Sequence, residues 1–197
     1  MTAFDTSRIE VGPGTLYAAP LGTTEPTSVS GAWPAGWVQL GYTDAGSTFS
    51  FQLTTSPVPV EEELFPAKIV TTGATASLAF ALAELTRQNL LLVLNAGITS
   101  LVDDTTGTSA TDSSVWAEMP EAGTEKRIML GWDAIPKGGT TADTDTLSRL
   151  IARQCIQSGN LSIPRRKGPN KAVYNATFSL EKPSDSQPFR FWFPPQM

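Results

Sequence analysis

Ser179-Leu180-Glu181-Lys182 carries the Ser-x-x-Lys spacing in which a lysine amine can deprotonate a serine hydroxyl. That chemistry needs a helical turn to bring the two side chains together. Here the residues close an alternating run, with Ala172, Tyr174, Ala176, Phe178 and Leu180 set against Val173, Asn175, Thr177, Ser179 and Glu181. A strand sends Ser179 and Lys182 to opposite faces, so the spacing is not catalytic. A Thr2 nucleophile would need Met1 removed and the polar segment behind it folded into a cleft. Asp103-Asp104 and Asp143-x-Asp145 could act as a glycosidase pair only if two acids stood about 5–9 Å apart in one cleft. Both lie in Thr/Ser/Asp/Gly-rich loop sequence. Glu61-Glu62-Glu63 could hold a hard cation, but the glycine and the closing glutamate of a calcium loop are missing. No Gly-Lys pair exists for a phosphate loop, and Gly12-Pro13-Gly14 lacks the third glycine of a dinucleotide loop.

The sequence holds no histidine and one cysteine, Cys155. Ser-His-Asp triads, Cys-His dyads, histidine-ligated zinc, four-cysteine zinc and internal disulfides are therefore excluded. The expectation is a chain without catalysis, metal or cofactor.

Charge patterning points to contacts between proteins. The net charge is −5, and all of it lies in residues 1–100, which hold three basic and eight acidic side chains. Within the balanced second half, residues 149–172 carry six basic side chains and no acid. Overall acidity argues against a general nucleic-acid binder, which needs a basic face. The expected subunit interface combines Glu61, Glu62, Glu63, Leu64 and Phe65 with the opposed charges of Arg165, Arg166, Lys167 and Lys171. Trp33, Trp37, Trp116, Trp132 and Trp192 are read as core or interface residues in preference to a sugar-binding platform.

The elements that must position these residues are mostly strands. Of 197 residues, 40% are hydrophobic and 17% charged, and 16 glycines and 15 prolines are spread along the chain. That is the composition of one all-β unit with many turns. Residues 1–11 are expected to form a flexible arm and residues 12–197 a single domain. Strands are predicted at 14–20, 37–41, around 48–54, from 68 to 83, at 126–135, 172–180 and 189–193. Residues 147–157 break the alternation and are assigned to a strand on context. Pro57, Pro59 and Pro66 exclude a central strand and predict a long extended loop or hairpin tip over about 55–67. Thr86–Ala96 is the predicted helix, capped by Thr86 and stopped by Gly97. The result is a mainly β fold, a sandwich or barrel with one flanking helix. The apolar runs Leu78–Ala83 and Leu90–Leu94 are too short to span a bilayer, and residues 1–25 lack the apolar stretch of a secretory leader.

Three segments, in order, resemble the major tail tube proteins of long-tailed bacteriophages. They are Gly14-Thr15-Leu16-Tyr17-Ala18-Ala19-Pro20-Leu21-Gly22-Thr23-Thr24-Glu25-Pro26, Trp37-Val38-Gln39-Leu40-Gly41-Tyr42-Thr43-Asp44-Ala45-Gly46, and Glu84-Leu85-Thr86-Arg87-Gln88-Asn89-Leu90 after an Ala/Leu/Phe strand. The likeness covers most of residues 12–135. It implies a β-sandwich with a flanking helix, whose subunits join sheets edge to edge into hexameric rings that stack into a hollow tube. The tube would surround a tape-measure protein, meet other tail proteins at its ends, and later conduct DNA without binding it specifically. It would be a virion component assembled in the bacterial cytoplasm, with no membrane anchor. Net acidity is then expected to keep DNA from sticking. The other readings of the same residues are a monomeric carbohydrate-binding β-sandwich adhesion module and a carboxylate-dependent hydrolase.

Overall fold

The computed structural model describes residues 14–61, 64–96, 121–135, 148–163 and 172–193. Among them run β1 (Gly14–Pro20), β2 (Val38–Gln39), β3 (Thr43–Val58), β4 (Lys68–Leu82), α1 (Arg87–Val93), β5 (Ile128–Ala134), β6 (Ser148–Gln157), β7 (Tyr174–Leu180) and β8 (Phe189–Trp192). The expected amino-terminal arm lies outside the described residues.

One antiparallel sheet runs in the order β2-β1-β5-β6-β7-β4-β3. β6 divides its free side between two partners. Arg149–Ala152 pair with β8, and Cys155–Gln157 pair with β7. A register shift against β5, between Ile128 and Leu130, falls at the division. The sheet curls over itself, so the inner faces of β4 and β7 meet those of β1, β5 and β6 around one core. Leu16, Leu78, Phe80, Leu82, Leu130, Leu150, Cys155 and Phe178 meet there, with Phe80 and Phe178 stacked at 5.6 Å. Alternation places these residues inside, because a side chain every second position faces the core.

Helix α1 closes one side of the core. Thr86 caps it, accepting the Asn89 amide at 3.1 Å. Leu91, Leu92 and Val93 are buried. Asn89 is buried too, and its Nδ2 donates to the Leu40 and Glu84 carbonyls at 3.2 and 2.8 Å. That ties the helix to the chain entering β3 and leaving β4. The terminator differs from the expected Gly97, which lies outside the described residues. Asn95 takes the left-handed conformation instead, with φ at 56°. Its side chain donates Nδ2 to the Gln157 carbonyl and accepts the Gln157 amide on Oδ1, at 2.9 and 2.8 Å. An asparagine can therefore end the helix and plug the end of β6 in one residue.

The expected loop over 55–67 is shorter than predicted. β3 continues to Val58 and β4 resumes at Lys68, with Pro57 opposite Ile69. Proline is accommodated because β3 is the last strand of the sheet and its outer side needs no ladder bond.

Replacing Asn89 with Ala leaves two carbonyls without their donor in a buried place. The expected loss is about 1–3 kcal/mol in urea unfolding. A change below about 0.5 kcal/mol would show that water replaces the amide there.

Candidate assembly surfaces

Strands β3 and β4 are 16 and 15 residues long, longer than the core that backs them. Their register fixes which side chains share a face. Phe49 lies opposite Leu78, Phe51 opposite Ala76, and Leu53 opposite Ala74. A bulge in β4 follows, where Thr72 donates its hydroxyl to the Thr54 carbonyl at 3.3 Å. Beyond it Pro57 meets Ile69 on that same face. The face that packs the core at Leu78 and Phe49 therefore continues outward as a surface that, past the Phe51–Phe189 contact, no described residue covers. Phe51 is 51% exposed, Leu53 52% and Ile69 66%. The opposite face pairs Ser50 with Ser77 and Gln52 with Thr75. The two strands form an arm. As far as the bulge it is apolar on one side and polar on the other; beyond it Val58 and Val70 also stand exposed on the second side.

The arm ends in the expected interface segment. Glu61 is exposed at the turn, and Leu64 and Phe65 are 96% and 79% exposed. Glu62 and Glu63, and the expected partners Arg165, Arg166, Lys167 and Lys171, lie outside the described residues. At the arm's root, β8 packs its aromatic side chains against β3. Phe49 lies 5.0 Å from Phe189 and 5.3 Å from Phe191, and Phe51 lies 5.6 Å from Phe189. Phe191 stacks at 6.0 Å on Phe193, which is itself exposed, so the apolar surface extends across the carboxy-terminal strand.

The other layer of the fold is shielded. Residues 21–37 form a strap over the outer face of β1, β5 and β6. Trp33, Trp37 and Trp192 pack there against Ala19, Met129 and Ile151. Gly131 makes room, since a Cβ on it would fall 2.2 Å from the Trp33 ring. Beneath the strap sits an ion pair that local spacing did not reveal. Asp133 and Arg149 face each other across β5 and β6. Arg149 is fully buried; its Nε and Nη2 donate to the Asp133 carboxylate at 2.7 and 2.9 Å. Its Nη1 donates to the Ser28 and Gly31 carbonyls of the strap at 2.9 and 2.6 Å. Trp33 covers the guanidinium at 4.4 Å and donates Nε1 to Asp133 at 2.7 Å. A buried arginine with every contact charge-assisted or stacked is the arrangement that offsets its desolvation.

Two of the six basic side chains in residues 149–172 are thus committed within the fold. Arg149 is neutralised by Asp133, and Arg153 forms a two-point pair with Glu25 of the strap, which Arg190 also approaches at 3.5 Å. The Arg153 hydrogen bond, with its charge and that of Arg190, holds the Glu25 carboxyl below the ordinary 4.5 despite partial burial. Glu181 is likewise held low by hydrogen bonds from Arg127 and Gln154. A cleft of about 290 Å³ opens beside the strap, but Glu25 in it is committed to these cations. Ser179 shares a hydrogen bond with Ser158 at 2.6 Å, while Lys182 lies beyond the strand end, so the Ser-x-x-Lys spacing brings nothing together. The described tryptophans pack within the fold and form no exposed platform.

The phage tail tube protein family model matches residues 1–143. The chain belongs to the phage tail tube protein family. Its structural role is that of a tail tube protein. The fold matches the PVC sheath-tube complex of an extracellular contractile injection system in its extended state, with a TM-score of 0.53 and 7% identity, over 98% of this chain and 100% of that one. It also matches the tube-terminating cap of the anti-feeding prophage, with a TM-score of 0.55 and 9% identity, over 98% and 99% of the two chains. At such identity the two matches concern the fold. No curated protein sequence matches the chain.

Two outcomes are expected of this tail tube protein. Asp133→Ala strands a buried guanidinium and should cost about 3–5 kcal/mol in denaturant unfolding, whereas the double change Asp133→Leu with Arg149→Met should recover only part of it, because Trp33 Nε1 and the Ser28 and Gly31 carbonyls lose their partners. A double variant as unstable as the single one would show that the pair is needed for more than mutual neutralisation. Glu25 and Glu181 have folded values below their unfolded ones. Their stabilisation is present above the unfolded value and is lost as pH falls through the folded value. Unfolding midpoints should therefore drop as pH falls below about 4.5, less steeply in Glu25→Gln with Glu181→Gln. Parallel pH profiles would refute the assignment.

Proposed function

We propose that this chain self-assembles, without catalysis, into stacked hexameric rings that form the hollow tail tube through which DNA is delivered. The observation that carries the reading is the arm. A mainly apolar face of Phe51, Leu53, Pro57 and Ile69, interrupted by the Thr55–Thr71 pair, runs past the body, and the described residues leave it in water. Apolar surface that is exposed and contiguous is the signature of an interaction site. A second copy provides a matching cover, since every subunit carries the same arm and the same exposed aromatic strand. A head-to-tail contact of this kind closes into rings or propagates as a tube. β3 also ends the sheet order, and a long edge strand is a template for another strand. Joining edges around a ring removes them.

Rings stacked into a tube would enclose a tape-measure protein and end on other tail proteins, in the virion tail, after assembly in the bacterial cytoplasm. Residues 12–197 act as one unit. Glu61, Glu62 and Glu63 at the arm's end meet Arg165, Arg166, Lys167 and Lys171 of a neighbouring subunit or ring. Trp33, Trp37, Trp132 and Trp192 pack within the fold and give no support to the adhesion-module reading; Trp116 lies outside the described residues.

Negative-stain electron microscopy of the purified protein over a concentration series should reveal rings or uniform hollow tubes. Small monodisperse particles at every concentration would count against self-assembly. Reversing Glu61, Glu62 and Glu63 to Lys should block assembly, and reversing Arg165, Arg166 and Lys167 to Glu in the same chain should restore it. Normal tubes from the first variant would sink the proposed contact.

A further inference from the structure

The polar face of the β3–β4–β7 layer has a chemistry that the net charge hides. Thr48, Ser50, Gln52 and Thr54 of β3 share it with Thr75, Ser77, Ala79 and Ala81 of β4 and with Asn175, Thr177 and Ser179 of β7. Ser158 joins it, with its hydroxyl 2.6 Å from that of Ser179 and its amide bonded to the Thr177 carbonyl at 2.8 Å. None of these twelve residues is charged. Asp44 lies at one end of the face, opposite Ala81, and Lys68 at the far end of the arm, where the exposed Val58 and Val70 replace the hydroxyls. Between them lies more than 20 Å of strand at ~3.3 Å per residue. Among the described residues, the paired and turn acids sit elsewhere. Glu25, Asp133 and Glu181 are paired with arginines, and Glu61 is at the arm's turn. The reverse side of the layer is the apolar one, which packs the core and then needs a neighbouring copy.

We infer that this hydroxyl-and-amide face is the tube wall past which DNA moves, and that the wall is non-adhesive because it is uncharged, not because it is acidic. The inference rests on the reading of the chain as a tube subunit. Three features carry it. The layer has only one face left for the lumen once its apolar side is covered. The other layer carries the strap and the ion pairs, which suits an outer surface. Holding a phosphate backbone takes lysine or arginine, whereas neutral hydroxyls offer bonds that water matches at little net gain. A wall without acids also holds no cations to bridge it to phosphate. The expectation from net charge alone, an acidic lining, is thereby replaced for this face.

The test places single cysteines in assembled tubes, as Ser50→Cys and Thr177→Cys. Cys155 is fully buried, and burial raises its thiol further above neutrality, so it contributes no background. A small maleimide should label both positions in the tube, and a polymer-linked maleimide of about 5 kDa should react at least ~10-fold more slowly there than with free subunits. Equal labelling by both reagents would put the face outside, and labelling by neither would make it a subunit interface; each result overturns the inference and leaves the tube intact. Absence of tubes from the unmodified chain would overturn the underlying reading instead. In a second measurement, unmodified tubes should retain no duplex DNA at about 50 mM salt, while Ser77→Lys with Thr177→Lys tubes should retain it in a salt-dependent way. DNA held by unmodified tubes would refute the non-adhesive wall.

Discussion

Strands β3 and β4 outrun their core, and the rest of the molecule is arranged around that constraint. A two-stranded hairpin alone is marginal in water, because it orders backbone without burying a face. Here the hairpin is rooted in a real core through Phe49, Leu78, Phe80 and Leu82, and its root is clamped by Phe189 and Phe191 of the last strand. Beyond the root, alternation carries the same apolar face outward past Phe51 and Leu53. The chain thus builds half of a packed layer and leaves the other half to a second copy. Function as a tube subunit follows from that incompleteness more directly than from any pocket.

The body must stay rigid for such an arm to find its neighbour. The strap supplies part of that rigidity on the side away from β3 and β4. Arg149 and Asp133 lock β5 to β6, and the same guanidinium reaches the Ser28 and Gly31 carbonyls, so a loop far away in sequence is held to the sheet. Glu25 repeats the device at the strap's other end through Arg153 and Arg190. Arg149, Arg153, Asp133 and Glu25 fasten the outer layer, while the β3–β4–β7 face between Asp44 and Lys68 carries neutral side chains.

The sequence pattern was legible where one face of a strand is buried and the other is not. The inner half of β4 and all of β7 alternate for that reason, and their bounds come close to those expected. β6 was ambiguous because the strap buries its outer face too, so Arg149 and Ile151 lie as deep as Leu150. Periodicity carries no sign of a loop that returns from a hundred residues away. The complementarity of Trp33 and Gly131, and the pairing of Asp133 with Arg149, are tertiary facts with no local spacing to betray them. Pro57 excludes a central strand, as its edge position bears out, but how far the edge strand runs past it into the predicted loop or hairpin tip depends on the sheet order. The helix stop moved from Gly97 to Asn95 because the asparagine side chain gains two bonds to β6 that no glycine could make. Of the expected interface, Glu61, Leu64 and Phe65 stand exposed at the arm's end, which the charge and proline pattern did indicate.

The central claim is that a second copy covers the apolar face of the arm. Hydrogen exchange of the backbone amides in residues 50–58 and 68–75, compared between assembled particles and free subunits, tests it most directly. In free subunits a two-stranded hairpin without a backing layer should exchange fast, and in particles the same amides should be protected by at least ~100-fold. Equal exchange in the two states, with the core strands protected in both, would contradict the account.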